Sequence, residues 1–293
     1  FKQKTAYEIG VRLVGSEMCI RDRTSTGRGM VRQGLKFELS IGQSTITQKI
    51  TLSKKSKALE FYTLVEWQEC HRMLRTAFPV NVQTDSATFD IQYGYVRRPT
   101  HRNTSWDMAR FEVAGQKYVD LSSHERGIAL INNCKYGHKV HEYVLDLNLL
   151  RSPTYPDADA DLGCHEFSYC LFIHQHDLIQ SEVISKALQY NQPPLLYPGK
   201  AAEELHPPVN IYSKSVGLEA LKRAEKENCW VFRLVERHGR SGIAQIELLE
   251  PETLLRETNL MEWEDMGELL TSPLTLKFKP FEIRTFKIRS GLM

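Results

Sequence analysis

From Leu35 onward the chain alternates apolar and polar residues with a period of two, and this pattern limits the fold more than any other feature. Leu35, Phe37, Leu39 and Ile41 fall on one side of an extended chain, and Lys36, Glu38 and Ser40 on the other, because successive side chains of a strand point to opposite faces. A Gly42-Gln43-Ser44 break separates this run from Ile46–Leu52. Further strand-like runs are Leu59–Trp67, Phe89–Tyr95, Arg110–Val113, Ile128–Asn132, Tyr143–Leu150 and Phe167–Gln175, with short turn-rich segments between them. The spacing predicts an antiparallel all-β architecture in which each sheet has one face on a core and one in water. Helical spacing is confined to two stretches. Ile179–Tyr190 ends at Pro193-Pro194, and Ser215–Asn228 carries Leu218, Leu221 and Ala224 on one side. Both are expected to be short helices docked on a sheet.

The stretch 192–208 holds five prolines (Pro193, Pro194, Pro198, Pro207 and Pro208) together with Gly199 and several charges. That composition marks a connection rather than an element. The expected organisation is a large β-sandwich domain over 24–190, a Pro-rich connection over 191–208 and a small β domain over 209–293. In the small domain, Trp230–Arg237 and Ile243–Leu249 around the turn His238–Gly242 predict a hairpin. Leu274–Lys279 and Phe281–Ile288 are the last two strands.

Lys and Arg total 38 against 36 Asp and Glu, a net charge of +2, which argues against a dedicated nucleic-acid binder. No apolar run reaches the roughly 18–20 residues of a membrane span. The six cysteines form no C-x-x-C pair, so they are read as reduced thiols rather than a disulfide scaffold or a zinc ribbon. The N-terminal segment has no apolar stretch of the secretory type. Its residues Tyr7–Arg23 resemble a peptide translated from sequencing-adapter sequence. Residues 1–23 are therefore set aside as artefact or unstructured, and the natural protein is expected to extend further upstream.

The densest group of chemistry-bearing residues is Arg97-Arg98-Pro99-Thr100-His101-Arg102-Asn103-Thr104-Ser105-Trp106-Asp107. A sugar site needs an aromatic face for the C–H side of a pyranose and bidentate polar groups for neighbouring hydroxyls. Arg98, His101, Asn103, Trp106 and Asp107 offer that set. The competing reading is an ordered loop in which Asp107 and Asn103 bond backbone amides and Trp106 packs into the core. A second polar loop, Asn132–Gly137, offers Lys135 and Tyr136, or else is a turn closed by Gly137. His174 and His176 lie two apart, and His138 and His141 three apart, without a third ligand implied by spacing, so no metal site is expected. Asp157, Asp159 and Asp161 begin like a calcium loop but lack the glycine and glutamate that follow in one. There is no phosphate-binding glycine loop and no nucleophile elbow. Cys134 with His138 is a weak nucleophile pair with nothing to depress the thiol.

The stretch Arg97–Val113, RRPTHRNTSWDMARFEV, resembles the C-terminal region of glycoside hydrolase family 38 α-mannosidases of the cytosolic type. So do Phe78–Val82 (FPVNV), Ala129–Gly137 (ALINNCKYG), Leu149–Asp157 (LLRSPTYPD) and His165–Tyr169 (HEFSY), in the same order. The resemblance implies a mutarotase-like supersandwich followed by a smaller β-sandwich, with few short helices. It implies a parent enzyme that removes terminal α-mannose from oligosaccharides by a retaining, zinc-dependent mechanism in the cytoplasm. The nucleophile, the acid/base and the zinc ligands would belong to an N-terminal barrel absent from this chain, so no catalytic residue and no cofactor is expected here. The expected partners are a mannose-containing oligosaccharide and the chain's own N-terminal catalytic domain, with no nucleic acid and no membrane. The surface that packs on the barrel is expected to make the isolated chain self-associate as a homo-oligomer. The alternatives are a stand-alone carbohydrate-binding or structural β-sandwich, and a mutarotase-like enzyme in its own right.

Overall fold

A computed structural model describes residues 19–199, 206–250 and 253–289. The chain divides into two compact units, Phe1–Ile91 with Tyr95–Pro194 and Gln92–Gly94 with Leu195–Met293. The first holds strands β1 (Cys19–Arg28), β2 (Arg32–Ile41), β3 (Ser44–Ser53), β4 (Ala58–Trp67), β5 (Met73–Pro79), β6 (Ser86–Ile91) and β7 (Gly94–Pro99). Helix α1 (Ser105–Ala109) follows, then β8 (Val113–Ala114), β9 (Tyr118–Ser122), β10 (Arg126–Asn132), β11 (Gly137–His141), β12 (Val144–Arg151), β13 (Gly163–Gln175) and helix α2 (Val183–Asn191). Nine strands form one sheet in the order β1-β2-β3-β4-β13-β10-β9-β6-β7, and β5-β12-β11-β8 form another.

Alternation in sequence becomes alternation in burial. In β4, Phe61, Thr63, Val65 and Trp67 are buried while Tyr62, Leu64 and Glu66 are exposed. The buried row joins Leu74 and Phe78 of β5, Leu145 and Leu147 of β12, and Phe167 and Tyr169 of β13 in one core. Phe61 stacks on Tyr169 at 5.0 Å between centroids. Strand β10 breaks the alternation because both of its faces are covered. Leu130 joins that core, while Ala129 and Ile131 pack with Val183 and Ala187 of α2. A strand buried on both sides reads as a continuous apolar run.

One row crosses the centre of the large sheet. Gly127 lies opposite Ser122 on β9 and opposite His174 on β13. The His174 Nε2 lies 2.8 Å from Asp120 Oδ1, and the Ser122 hydroxyl donates to Asp120 Oδ2 at 2.6 Å. His174 and Asp120 are almost fully buried.

The second unit holds β14 (Val209–Tyr212), β15 (Val216–Arg223), β16 (Trp230–Glu236), β17 (Gly242–Leu248), β18 (Leu254–Thr258), β19 (Asp265–Thr271), β20 (Leu274–Phe278) and β21 (Ile283–Arg289). These make a three-stranded sheet, β14-β17-β20, and a five-stranded sheet, β15-β16-β21-β18-β19. Phe232, Leu234, Ala244, Ile246, Leu255, Phe278 and Phe286 fill the core they share. The last strand, β21, occupies the centre of the five-stranded sheet, paired with β16 on one side and β18 on the other. Lys287, 1 % exposed, is held there by Glu227 and Asp265.

Several expectations are corrected. Ser215–Asn228 is not a helix: Val216–Arg223 is the strand β15. A register shift between Leu218 and Ala220 places Leu218 opposite Leu234 and Leu221 opposite Phe232. Both partners belong to the core, so a bulge puts residues three apart on one face, which mimics helical spacing. The segments around His238–Gly242 do not pair as a hairpin, since β16 and β17 belong to different sheets. Phe89–Tyr95 is two strands, β6 and β7, with a turn at Tyr93, whose φ is 60°. Arg110–Val113 is the exit from α1 rather than a strand, and only Val113-Ala114 pairs. The other helix is present as α2. Residues 19–23 run in β1, with Cys19 opposite Ser40 and Arg23 opposite Phe37. The rest of the segment set aside on sequence grounds lies outside the described residues. Among the described side chains, Cys70, Cys134, Cys164, Cys170 and Cys229 are free thiols. Among the described residues no helix is long and apolar enough to cross a membrane.

Candidate functional site

Strand β7 delivers Arg98 and Pro99 to the mouth of a cleft, and Thr100 anchors the chain there. The Thr100 backbone N–H donates to Asp85 O at 2.9 Å, its hydroxyl donates to Thr84 O at 2.8 Å, and its carbonyl accepts from the Glu142 N–H at 2.8 Å. Helix α1 then starts with a capping box. Thr104 is the N-cap and accepts from Asp107 N at 3.2 Å, while Asp107 Oδ2 accepts from Thr104 N at 3.2 Å and from its hydroxyl at 2.7 Å. Arg110, one turn on, donates to Asp107 Oδ1 at 2.8 Å. His101 Nδ1 lies 3.6 Å from Asp107 Oδ2.

The cleft behind this turn is lined by Phe89, Arg98, His101, Arg102, Asp107, Arg110 and His138. The guanidinium of Arg98 lies 4.6 Å from the Phe89 ring centroid, a cation–π arrangement. Thr104's hydroxyl and backbone N–H, followed by His101 and Arg110, hold the Asp107 carboxyl below its ordinary range. Burial, with Arg75 and Arg98 nearby, pushes His138 down to about 3. Burial next to Arg110 lowers Arg98 as well. The space inside is about 20 Å³, room for one water-sized group.

Of the sequence candidates, Arg98, His101 and Asp107 come together in this cleft. Asn103 and Trp106 do not line it, and Trp106 is 79 % exposed rather than packed in the core. Asp107 does bond a backbone amide, as the ordered-loop reading has it, and it does so as a helix cap. In the second loop, the Asn132 carboxamide accepts from Lys135 N at 2.8 Å and donates to Gln116 O at 2.8 Å. Lys135 is thereby set with its ammonium 4.6 Å from the Phe167 centroid, and Tyr136 is exposed. His174 is buried against Asp120 and His176 is exposed at the strand end, so the two imidazoles do not share a face. Burial raises the Cys134 thiol, which keeps it from being a thiolate. Sequence reasoning missed Arg102, Arg110 and His138 as cleft residues. Arg110 was legible as the basic residue three after a capping Asp. His138 was hidden because nothing in β11 marks one histidine as the buried one.

Asp107 is the one carboxylate among the described residues lining the cleft, and retaining glycoside hydrolysis needs two about 5–5.5 Å apart. Among the described residues the cleft therefore does not hold the carboxylate pair of that mechanism. Among the described residues no three His, Cys, Asp or Glu side chains converge to hold a metal.

Comparison with known proteins places the chain. The family model for the glycosyl hydrolases family 38 C-terminal domain matches residues 12–159. The model for the family 38 C-terminal beta sandwich domain matches residues 215–286. Alpha-mannosidase 2C1 of Mus musculus is 38 % identical over 266 residues, covering 88 % of this chain and 26 % of that protein. Alpha-mannosidase G of Dictyostelium discoideum is 33 % identical over 264 residues, 86 % of this chain and 24 % of its own length. The crystal structure of an alpha-mannosidase from Enterococcus faecalis superposes with a TM-score of 0.76 at 20 % identity, over 92 % of this chain and 35 % of that one. The chain thus spans about a quarter of the length of these curated relatives, and it belongs to glycosyl hydrolase family 38, of which it carries the C-terminal domains.

Proposed function

We propose that the chain is the C-terminal portion of a cytoplasmic α-mannosidase that removes terminal α-mannose from oligosaccharides with retention and with zinc. The observation that carries this reading is the 38 % identity to an alpha-mannosidase 2C1 sustained over 88 % of the chain. The nucleophile, the acid/base and the metal ligands belong to the portion of the enzyme that precedes this region. The described residues of the chain do not fit zinc, and no step of the reaction runs through a metal held by them. The role of the chain is to support the catalytic portion and to present the loop of Arg98, His101, Asn103, Trp106 and Asp107, together with Lys135 and Tyr136, to the sugar. The boundary between its two domains lies in the Pro-rich stretch 191–208.

Two experiments test the reading. Purified chain should not hydrolyse an aryl α-mannoside, with or without added zinc, and turnover that survives removal of host mannosidase counts against it. In the longer enzyme, Asp107→Asn and His101→Ala should each lower kcat/KM at least roughly tenfold, about 1.4 kcal/mol of transition-state binding. The melting temperature should stay nearly fixed for His101→Ala, whose side chain is exposed, whereas Asp107→Asn weakens the helix cap and the Arg110 pair and should also lower stability by about 0.5–2 kcal/mol. Unchanged kinetics in both variants would remove the loop from the sugar cleft.

A further inference from the structure

Two buried polar atoms that lack a hydrogen-bond partner among the described residues belong to side chains of one cleft: Nη1 of Arg98 and Nε2 of His138. His138 is 1 % exposed. A buried polar atom left unpaired destabilises the fold, and native structures rarely keep one without a use. Here two side chains with such atoms share a cleft beside the loop that the sequence singled out.

The charge around them is one-sided. Arg98, Arg102 and Arg110 line the cleft against a single carboxylate, Asp107. Both oxygens of Asp107 are already engaged, Oδ1 by Arg110 and Oδ2 by the Thr104 backbone and hydroxyl, with His101 beside it. Arg75, whose charge also reaches His138, is tied to Glu112 and Asp146. The described residues therefore supply the lining arginines with one anion among three cations.

We propose that this cleft is a carboxylate-binding site, with one carboxylate oxygen received between Arg98 and His138 and the other held at the mouth by Arg102. The space of about 20 Å³ admits one oxygen-sized group, which excludes a pyranose ring from the interior. The planar two-oxygen carboxylate matches the fork of a guanidinium. His138, held down at about 3, is neutral at pH 7 and donates through Nε2 as its neutral tautomer. The carboxylate belongs either to a free small acid or to an acidic side chain of a neighbouring protein segment. The proposal goes beyond the mannosidase reading and does not depend on it, because a neutral sugar needs no anion site.

The test uses the 293-residue chain at pH 7 and constant ionic strength. Sodium acetate is titrated against sodium chloride while the ring signals of His138 are followed by long-range ¹H–¹⁵N correlation. Acetate should shift those signals saturably and chloride should not. Arg102→Gln, at an exposed position, should weaken acetate binding roughly tenfold or more without altering the fold, as loss of one charged hydrogen bond predicts. Arg98→Gln should abolish it. N-acetyl-aspartate N-methylamide distinguishes the sources. Binding at least as tight as acetate assigns the cleft to a protein side chain, and exclusion of this bulkier carboxylate assigns it to a free small acid. A linear, unsaturable response to acetate equal to that of chloride overturns the proposal and leaves the cleft to a water molecule. Acetate binding that is indifferent to both arginines overturns it too, by placing the anion elsewhere.

Discussion

Gly127→Ala offers a sharp test of how the large sheet is built. An added Cβ would lie 2.3 Å from His174 Cε1, 2.4 Å from His174 Nε2 and 2.6 Å from Ser122 Cβ. The imidazole of His174 passes over Gly127 to reach Asp120, so a methyl group there must push the ring off its partner. Overpacking of this kind costs about 1–3 kcal/mol. Leaving buried Asp120 without its imidazole costs about 1–3 kcal/mol more. The stiffer unfolded chain of the alanine variant returns about 0.4–1 kcal/mol. The net loss should be about 3 kcal/mol, which for a unit of this size is a fall of roughly 6–12 °C in Tm. Urea unfolding of the wild type and the variant measures it, at unchanged m. The decisive control is the cycle with His174→Ala. With the ring gone, Gly127→Ala should cost clearly less than in the wild type, keeping only the part due to Ser122 Cβ at 2.6 Å. A cost below about 1 kcal/mol in the wild-type background, or strict additivity in the cycle, would refute the reasoning.

Stability should also fall as pH drops from about 6.5 towards 3, because the unfolded chain protonates His138 in that window and the folded chain, with this residue at about 3, does not. The slope from this one group is at most about 1.4 kcal/mol per pH unit, and His138→Gln should flatten it in melting curves; an equally steep profile would show that other groups set it. Cys70, Cys134 and Cys164 are exposed and should react with a thiol reagent in the folded protein. Cys170, buried and with its thiol pushed up to about 12, should react only on unfolding. Trp106→Ala should change stability by under about 0.5 kcal/mol, since the indole is 79 % exposed; a loss above about 2 kcal/mol would mean that it packs.

The all-β class was legible because one-sided burial imposes a period of two, which β4 displays in burial as well as in sequence, whereas β2 alternates in sequence with Leu35 left exposed. What the pattern could not convey is which strand pairs with which. Residues 230–249 look like a hairpin because both arms alternate and a Gly-rich turn joins them, yet β16 and β17 face each other across the core in separate sheets. A hairpin and an arch between sheets have the same local chemistry, and only long-range packing separates them. The bulge in β15 disguised a strand as a helix for a related reason, since one extra residue shifts the phase of everything after it. In the candidate site, Asp107 and Arg98 stood out by residue type. His138 did not, because its importance comes from burial against Phe89 and beside two arginines, which no local pattern encodes.

The position of β21 has a consequence for how the second unit is made in the cell. Its two flanking pairs, β15-β16 and β18-β19, are synthesised early and have no edge to share until Ile283–Arg289 arrives between them. A growing chain therefore carries two unpaired strand edges, of β16 and of β18, until Ile283–Arg289 clears the ribosome, and open edges recruit other chains. A stop before Ile283 would remove the middle of this sheet. Such a product should aggregate or be degraded.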